Sequence, residues 1–135
     1  MIVDTSYVLD LIHRDEDALA KERELESANV PLVLPAMTIL ELYIGVGKVA
    51  NSKEERNHVE GVLSSYPRVA MTPTIGRRAG RILGEAMADA ESGDGPGIGK
   101  GDAAIAATAL ERDEPVLAGD SHFEKIDGVE VETYR

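Results

Sequence analysis

The sequence predicts one α/β domain built on a mostly parallel sheet covered by helices on both faces. Three observations lead there. Short apolar, strand-like runs alternate with helix-periodic segments along the chain, a pattern that calls for crossover connections and parallel pairing. A chain of 135 residues can build one core but is too short for two ordinary domains, and no repeat or low-complexity linker divides residues 1–135. Acidic residues stand where strands end or helices begin, and carboxylates at the carboxyl ends of parallel strands share one crevice.

Met1 to Asp4 reads as a short buried strand, followed by a helix over Ser6 to Arg14 with Val8, Leu9, Leu11 and Ile12 at helical spacing. Glu16 to Ser27 is a charged helix with Leu19 and Leu25 as apolar contacts. Val30 to Leu34 is a second strand stopped by Pro35. Thr38 to Gly47 is helical. Ser52 to Ser65 is a helix opened by a capping-box pattern, Ser52-x-x-Glu55, and Arg68 to Met71 is a brief third strand. A long helix over Thr74 to Glu91 places Ile75, Ala79, Ile82, Leu83, Ala86 and Met87 on one face. The Gly-rich run Gly93 to Gly101 ends it. Asp102 to Arg112 is an Ala-rich helix, and strands over Pro115 to Ala118 and Val129 to Glu132 follow.

Composition narrows the chemistry. With no Cys, disulfides, thiolate zinc sites and thiol nucleophiles are excluded, which leaves carboxylates and three scattered histidines for any metal. Oxygen donors favour Mg²⁺ or Mn²⁺ over zinc. One Phe and no Trp mean that Leu, Ile, Val and Ala must fill the core. The net charge of −11 opposes non-specific attraction to nucleic acid, so such a substrate needs local help. Sparse lysine beside 25 acidic residues would also suit a high-salt cytoplasm, as in a halophilic archaeon. No apolar run reaches membrane-spanning length, and Asp4 interrupts the amino terminus before a signal-peptide apolar region could form. A cytoplasmic protein with no membrane partner is expected.

Each candidate residue has an ordinary structural reading beside the chemical one. Asp4, followed by Thr5 and Ser6, reads equally as a helix N-cap or as a carboxylate supported by hydroxyls. Thr38-x-x-Glu41 matches a capping box, and only its place after the second strand recommends Glu41 for catalysis. Asp102 could serve as an early-turn charge on its helix, and Asp120 as the head of a turn before Ser121-His122. Convergent carboxylates repel each other unless a hard cation holds them, so their shared placement suggests a metal site. Asp94 to Gly101 imitates a phosphate-binding loop but lacks its preceding strand, first Gly and final Ser or Thr, and reads as a rim loop. His13, His58 and His122 lack metal-ligand spacing. Arg77, Arg78 and Arg81 are the candidates for contacting phosphates, weighed against a solvated face paired with Glu85.

Taken together, four segments resemble the PIN-domain ribonuclease family, and most closely its VapC-type toxins. They are Ile2-Val3-Asp4-Thr5-Ser6, the Glu41 after strand two, Gly101-Asp102-Ala103-Ala104-Ile105-Ala106-Ala107-Thr108-Ala109, and Val116-Leu117-Ala118-Gly119-Asp120-Ser121-His122-Phe123. The resemblance implies a three-layer α/β/α sandwich with a five-stranded parallel sheet of order 3-2-1-4-5. It also implies a Mg²⁺- or Mn²⁺-dependent endoribonuclease in which Asp4, Asp102 and Asp120 hold the metal and Glu41 acts through water. Ser6, with Thr5, would support the first Asp. The family often carries Thr or Ser two residues before the fourth acid, where this chain has Ala118. A homodimer, an RNA substrate and a small cognate antitoxin of the VapB kind are further implications. A housekeeping RNA-processing nuclease and a non-catalytic RNA- or partner-binding module share this pattern. A receiver-like signalling module does not, because no second acid adjoins Asp4 and strand three leads into Met71-Thr72-Pro73.

Overall fold

The computed structural model describes residues 1–90 and 93–135. Strands β1 (Ile2–Val3), β2 (Leu34–Pro35), β3 (Arg68–Val69), β4 (Val116–Leu117) and β5 (Val131–Glu132) alternate with helices α1 (Thr5–Ile12), α2 (Glu16–Ser27), α3 (Ala36–Lys48), α4 (Ser52–Leu63), α5 (Pro73–Asp89) and α6 (Lys100–Arg112). A 3₁₀ turn over His122–Lys125, absent from the sequence reading, precedes β5. Glu91, taken from sequence as the end of the long helix, lies outside the described residues.

All pairing is parallel. One sheet has the order β1-β4-β5, with Val3 opposite Leu117 and Leu117 opposite Glu132; a second pairs β2 with β3. The two meet at a single parallel bridge, Ile2 to Val33. There Val3 N–H donates to Val33 O at 3.1 Å and Val33 N–H donates to Met1 O at 2.9 Å. Among the described residues the ladders are thus three strands and two, joined by one bridge.

Successive side chains of a strand point to opposite faces, and the core divides accordingly. Val3, Leu34 and Leu117 join the side chains of α1 to α4, among them Tyr7, Val8, Leu11, Leu42, Val59 and Leu63, in one cluster. Ile2, Val33, Val116 and Ala118 point the other way, toward Ile105, Ala106 and Ala109 of α6, Phe123 and Ile126, with Ile82 and Leu83 of α5 packed alongside. Helices therefore cover both faces. Helix α6 is buried along the whole run Ala103–Ala109, and its small side chains let it lie close to both sheet and α5.

Several local expectations need correction. Pro35 belongs to β2 rather than stopping it, and α3 starts at the next residue. Val33 N–H turns to Met1 O and Leu34 N–H to Pro67 O, so by alternation the donor that Pro35 lacks falls on the β1 side and the β2–β3 ladder loses nothing. On α1, Tyr7 is buried where Leu9 was expected, and Leu9 is 40% exposed. At about 100° per residue, positions 7, 8, 11 and 12 share a stripe that position 9 misses. Met87 is likewise exposed rather than buried. The Ser52-x-x-Glu55 capping box does not form, because Asn51 is the N-cap and Ser52 is already helical.

Candidate active site at the carboxyl edge

Four elements deliver the acidic residues to one edge. Asp4 leaves β1, Glu41 stands in the second turn of α3, Asp102 in the first turn of α6, and Asp120 follows β4 across Ala118 and Gly119. Asp4 is buried and stands at the N-cap position of α1, but its side chain makes no cap hydrogen bond to that helix. Its Oδ2 instead accepts from Ser6 Oγ at 2.7 Å, and the same Ser6 oxygen accepts the Gly119 N–H at 3.2 Å. One hydroxyl thus ties the end of β1 to the end of β4, and it does so without the Ser or Thr that Ala118 replaces. Burial lifts the Asp4 carboxyl above its ordinary pKa; the Ser6 hydroxyl and the Thr5 and Ser6 backbone N–H groups pull it back, and the charge of Asp120 pushes it up further.

The Thr38-x-x-Glu41 capping box does not form either. Pro35 is the N-cap, and Thr38 is fully buried with its hydroxyl donating to Val3 O at 2.9 Å, which fastens α3 to β1. Glu41 is thereby turned toward the crevice, where its Oε1 accepts from Thr5 Oγ1 at 2.7 Å. Its other oxygen approaches α6 so closely that a Cβ on Gly101 would stand 2.5 Å from Glu41 Oε2. Gly101, which the sequence offered as a departure from a phosphate loop and as the head of the Asp102 segment, provides the room that Glu41 occupies. A glycine inside an otherwise Ala-rich helix, next to a candidate ligand, is the signal that could have revealed it.

Asp102 and Asp120 keep part of their ordinary roles. Asp102 Oδ2 accepts the Gly99 N–H at 3.1 Å, half of a capping box whose other half a glycine cannot supply. Asp120 Oδ1 accepts the His122 N–H at 3.0 Å, and His122 Nδ1 lies 3.3 Å from the same oxygen. Each carboxylate is therefore oriented through one oxygen by a neutral donor. Among the described residues no Lys or Arg pairs with any of the four, although Lys and Arg do pair with acids elsewhere, as in Lys21–Glu132 and Arg112–Glu114.

This donor set fits a hard divalent cation. It is all oxygen, and glycine at position 101 leaves the room that the Glu41 carboxylate fills and that a methyl group would take from it. Among the described residues no three acidic or imidazole groups stand at metal-ligating spacing.

Arg77, Arg78 and Arg81 lie elsewhere. They line a groove of about 480 Å³ between the start of α5 and the end of α6, together with Thr74, Leu110 and Glu111. Arg78 pairs with Glu111 at 2.7 Å and Arg81 with Glu85 at 3.8 Å, the partner anticipated from sequence. From Asp102 to Glu111 the helix axis advances about 14 Å at ~1.5 Å per residue, so the groove and the carboxylates occupy opposite ends of α6. No described helix is long and apolar enough to cross a membrane.

A family model described as PIN domain matches residues 1–129. No curated protein matches the chain by sequence. Among solved structures, the chain is similar to VapBC2 from Rickettsia felis bound to a DNA fragment from its promoter, with TM-score 0.82, 19% identity, and 99% of this chain and 98% of that one covered. It is similar to DNA-bound VapBC from Salmonella typhimurium, with TM-score 0.82, 22% identity and coverage of 99% and 97%. A third is VapBC-5 from Mycobacterium tuberculosis, a member of the VapBC family of toxin–antitoxin systems, with TM-score 0.63, 25% identity and coverage of 99% and 96%.

Proposed function

Because the chain belongs to the PIN-domain family, whose model spans residues 1–129, we propose that it is a Mg²⁺- or Mn²⁺-dependent endoribonuclease of the VapC type, the toxin of a toxin–antitoxin pair. The observation that carries this reading is the edge itself: Asp4, Glu41, Asp102 and Asp120 are each oriented by a neutral donor and left without a Lys or Arg partner among the described residues. In this reading the Ile2–Val33 bridge joins the two ladders into one working sheet of order 3-2-1-4-5, which sets β1 and β4 side by side at its centre.

Asp4, Asp102 and Asp120 would hold the cation, and Glu41, anchored by Thr5, would act through water. The cation, when bound, supplies Lewis-acid polarisation of the scissile phosphate and a water of lowered pKa. Ser6 aims Asp4 and offsets part of the cost of its burial. Glu41 is placed to take a proton from the attacking water. The water oxygen would bond to phosphorus as the bond to the 3′ oxygen breaks, and that oxygen would take up a proton from solvent, giving 5′-phosphate and 3′-hydroxyl ends.

The partners follow from charge and kinship. A crevice of uncompensated carboxylates on a chain of net charge −11 suits a basic plug, so a VapB-like antitoxin would insert an Arg among the acids, with the toxin as a homodimer. Arg77, which pairs with no acid among the described residues, is the member of the arginine groove placed to take a phosphate from an RNA strand reaching that end. The test is cleavage of labelled RNA by purified protein: EDTA should abolish it, Mn²⁺ or Mg²⁺ should restore it, and Asp102→Asn should remove it with the fold intact. Cleavage by Asp102→Asn at the parental rate would refute the assignment.

A further inference from the structure

Ala118 and Gly119 separate β4 from Asp120, and a segment following β5 covers Gly119. A Cβ at Gly119 would stand 2.6 Å from Tyr134 Oη and 2.9 Å from an Arg135 guanidinium nitrogen, so the residues following β5 lie directly on this turn. The Tyr134 hydroxyl donates to Asp10 of α1. Arg135 donates to the same Asp10 oxygen at 2.7 Å and stands 3.3 Å from Asp15, the N-cap of α2. The Tyr134 ring meets Tyr7 edge-on with centroids 5.4 Å apart, and the Arg135 guanidinium lies 5.0 Å from its centre. On the other side of the turn, the Gly119 N–H donates to the Ser6 hydroxyl that holds Asp4.

We propose that Tyr134 and Arg135 are positioning residues: they fasten the Gly119–Asp120 turn to α1, the helix that begins beside Asp4, and so set how far Asp120 stands from Asp4. An isolated exposed ion pair would do little of this. Here two donors converge on one Asp10 oxygen, a charge-assisted arrangement, and the aromatic ring they carry is pressed between Tyr7 and the turn. Gly119 is then required for close approach, since any side chain would meet Tyr134. Among the described residues neither pairs with any of the four acids, so both act through the Gly119 turn and α1.

The consequence for metal binding rests on the reading of the crevice as a metal site, and the test separates the two. Tyr134→Phe removes one hydroxyl and keeps the ring; Arg135→Gln removes the charge; Arg135→Lys restores charge without the planar fork. In the full chain, amide hydrogen exchange reads the turn and calorimetric titration with Mn²⁺ reads the crevice. Tyr134→Phe and Arg135→Gln should accelerate exchange at Gly119 severalfold while Val3 and Leu117 keep their rates. Both should weaken Mn²⁺ binding roughly 10–100-fold, the range for groups that orient metal ligands, and Arg135→Lys should recover part of the loss. Unchanged Gly119 exchange overturns the proposal, as does faster exchange with parental Mn²⁺ affinity. If the parental chain binds no Mn²⁺ while Gly119 exchange still responds, the metal reading fails and the clamp on the turn stands.

Discussion

Two charged regions stand at opposite ends of α6, and only one of them is mostly compensated from within. In the groove beside Glu111, Arg78 pairs with Glu111 and Arg81 with Glu85, which leaves Arg77 as the groove's one arginine without an acidic partner among the described residues. At the other end, the carboxylates around Asp102 are oriented by hydroxyls and backbone N–H groups that fix direction without cancelling charge. A compensated cluster is complete within the protein, whereas an oriented, uncompensated one holds a field that an outside cation must answer. That contrast, more than the abundance of charge at either end, supports the proposed site.

The largest effect should come from breaking the uncompensated end. Loss of Asp102 or Asp120 as the amide should lower metal-dependent RNA cleavage by more than the roughly 10–100-fold that loss of a supporting hydrogen bond costs a metal site, measured as kcat/KM with Mn²⁺. Ser6→Ala should fall inside that range, with a stability loss of about 1 kcal/mol for the hydroxyl's bonds. A cleavage loss for Ser6→Ala equal to that of Asp102→Asn would mean that Ser6 does more than orient Asp4.

Gly101→Ala sharpens the comparison because its two readouts should move oppositely. The new methyl meets the flexible end of Glu41 rather than backbone, so the helix can gain up to about 1 kcal/mol in propensity while Glu41 is driven from its place and cleavage falls. A variant that melts higher and still cuts normally would remove Glu41 from the mechanism. Glu41→Gln is the companion measurement: it keeps the bond from Thr5 and should lose activity with little change in melting temperature.

Asp4 gives a pH signature. Its folded-state pKa is raised by burial, so the native state holds this proton more tightly than the unfolded chain. The ionised group therefore costs stability at neutral pH, and that cost is relieved as pH falls through the raised pKa. Asp4→Asn should abolish divalent binding and raise the melting temperature at pH 7, by roughly 4 °C for each kcal/mol relieved. The gain should vanish in acid, and a melting curve unchanged at both pH values would show that the burial cost is offset elsewhere. The smallest effect belongs to the compensated end. Arg78→Gln should cost within about 1 kcal/mol of stability and leave kcat unchanged, and Arg77→Gln should reduce the salt slope of RNA binding by about one only if a phosphate reaches that groove.

Much of this was legible in the chain. The alternation of strands and helices follows from apolar periodicity, and Asp4, Asp102 and Asp120 could be placed near one edge because each stands near an element boundary, whereas Glu41 lies a turn inside its helix. What escaped were contacts between residues distant in sequence. Thr38 looks like a cap to any local rule, and only the arrival of Val3 beside it makes its hydroxyl an anchor between layers. Gly101 has no visible purpose until Glu41, sixty residues earlier, is folded against it. The site's supports at Gly119, Tyr134 and Asp10 likewise span most of the chain. Periodicity reports which face of an element is buried, and carries nothing about which partner will meet it.

The buried stretch of α6 from Ala103 to Ala109 has one more consequence. It touches neither the proposed metal nor RNA, yet enlarging almost any of its side chains would push the helix away from the sheet on one side or from α5 on the other, and Asp102 rides on its first turn. A saturation library scored by loss of toxicity would mark this heptad as intolerant in the same way as the acids themselves. Such a map would draw the active site as a rod running through the molecule, and only a parallel score for protein abundance would shorten it to the edge where the carboxylates meet.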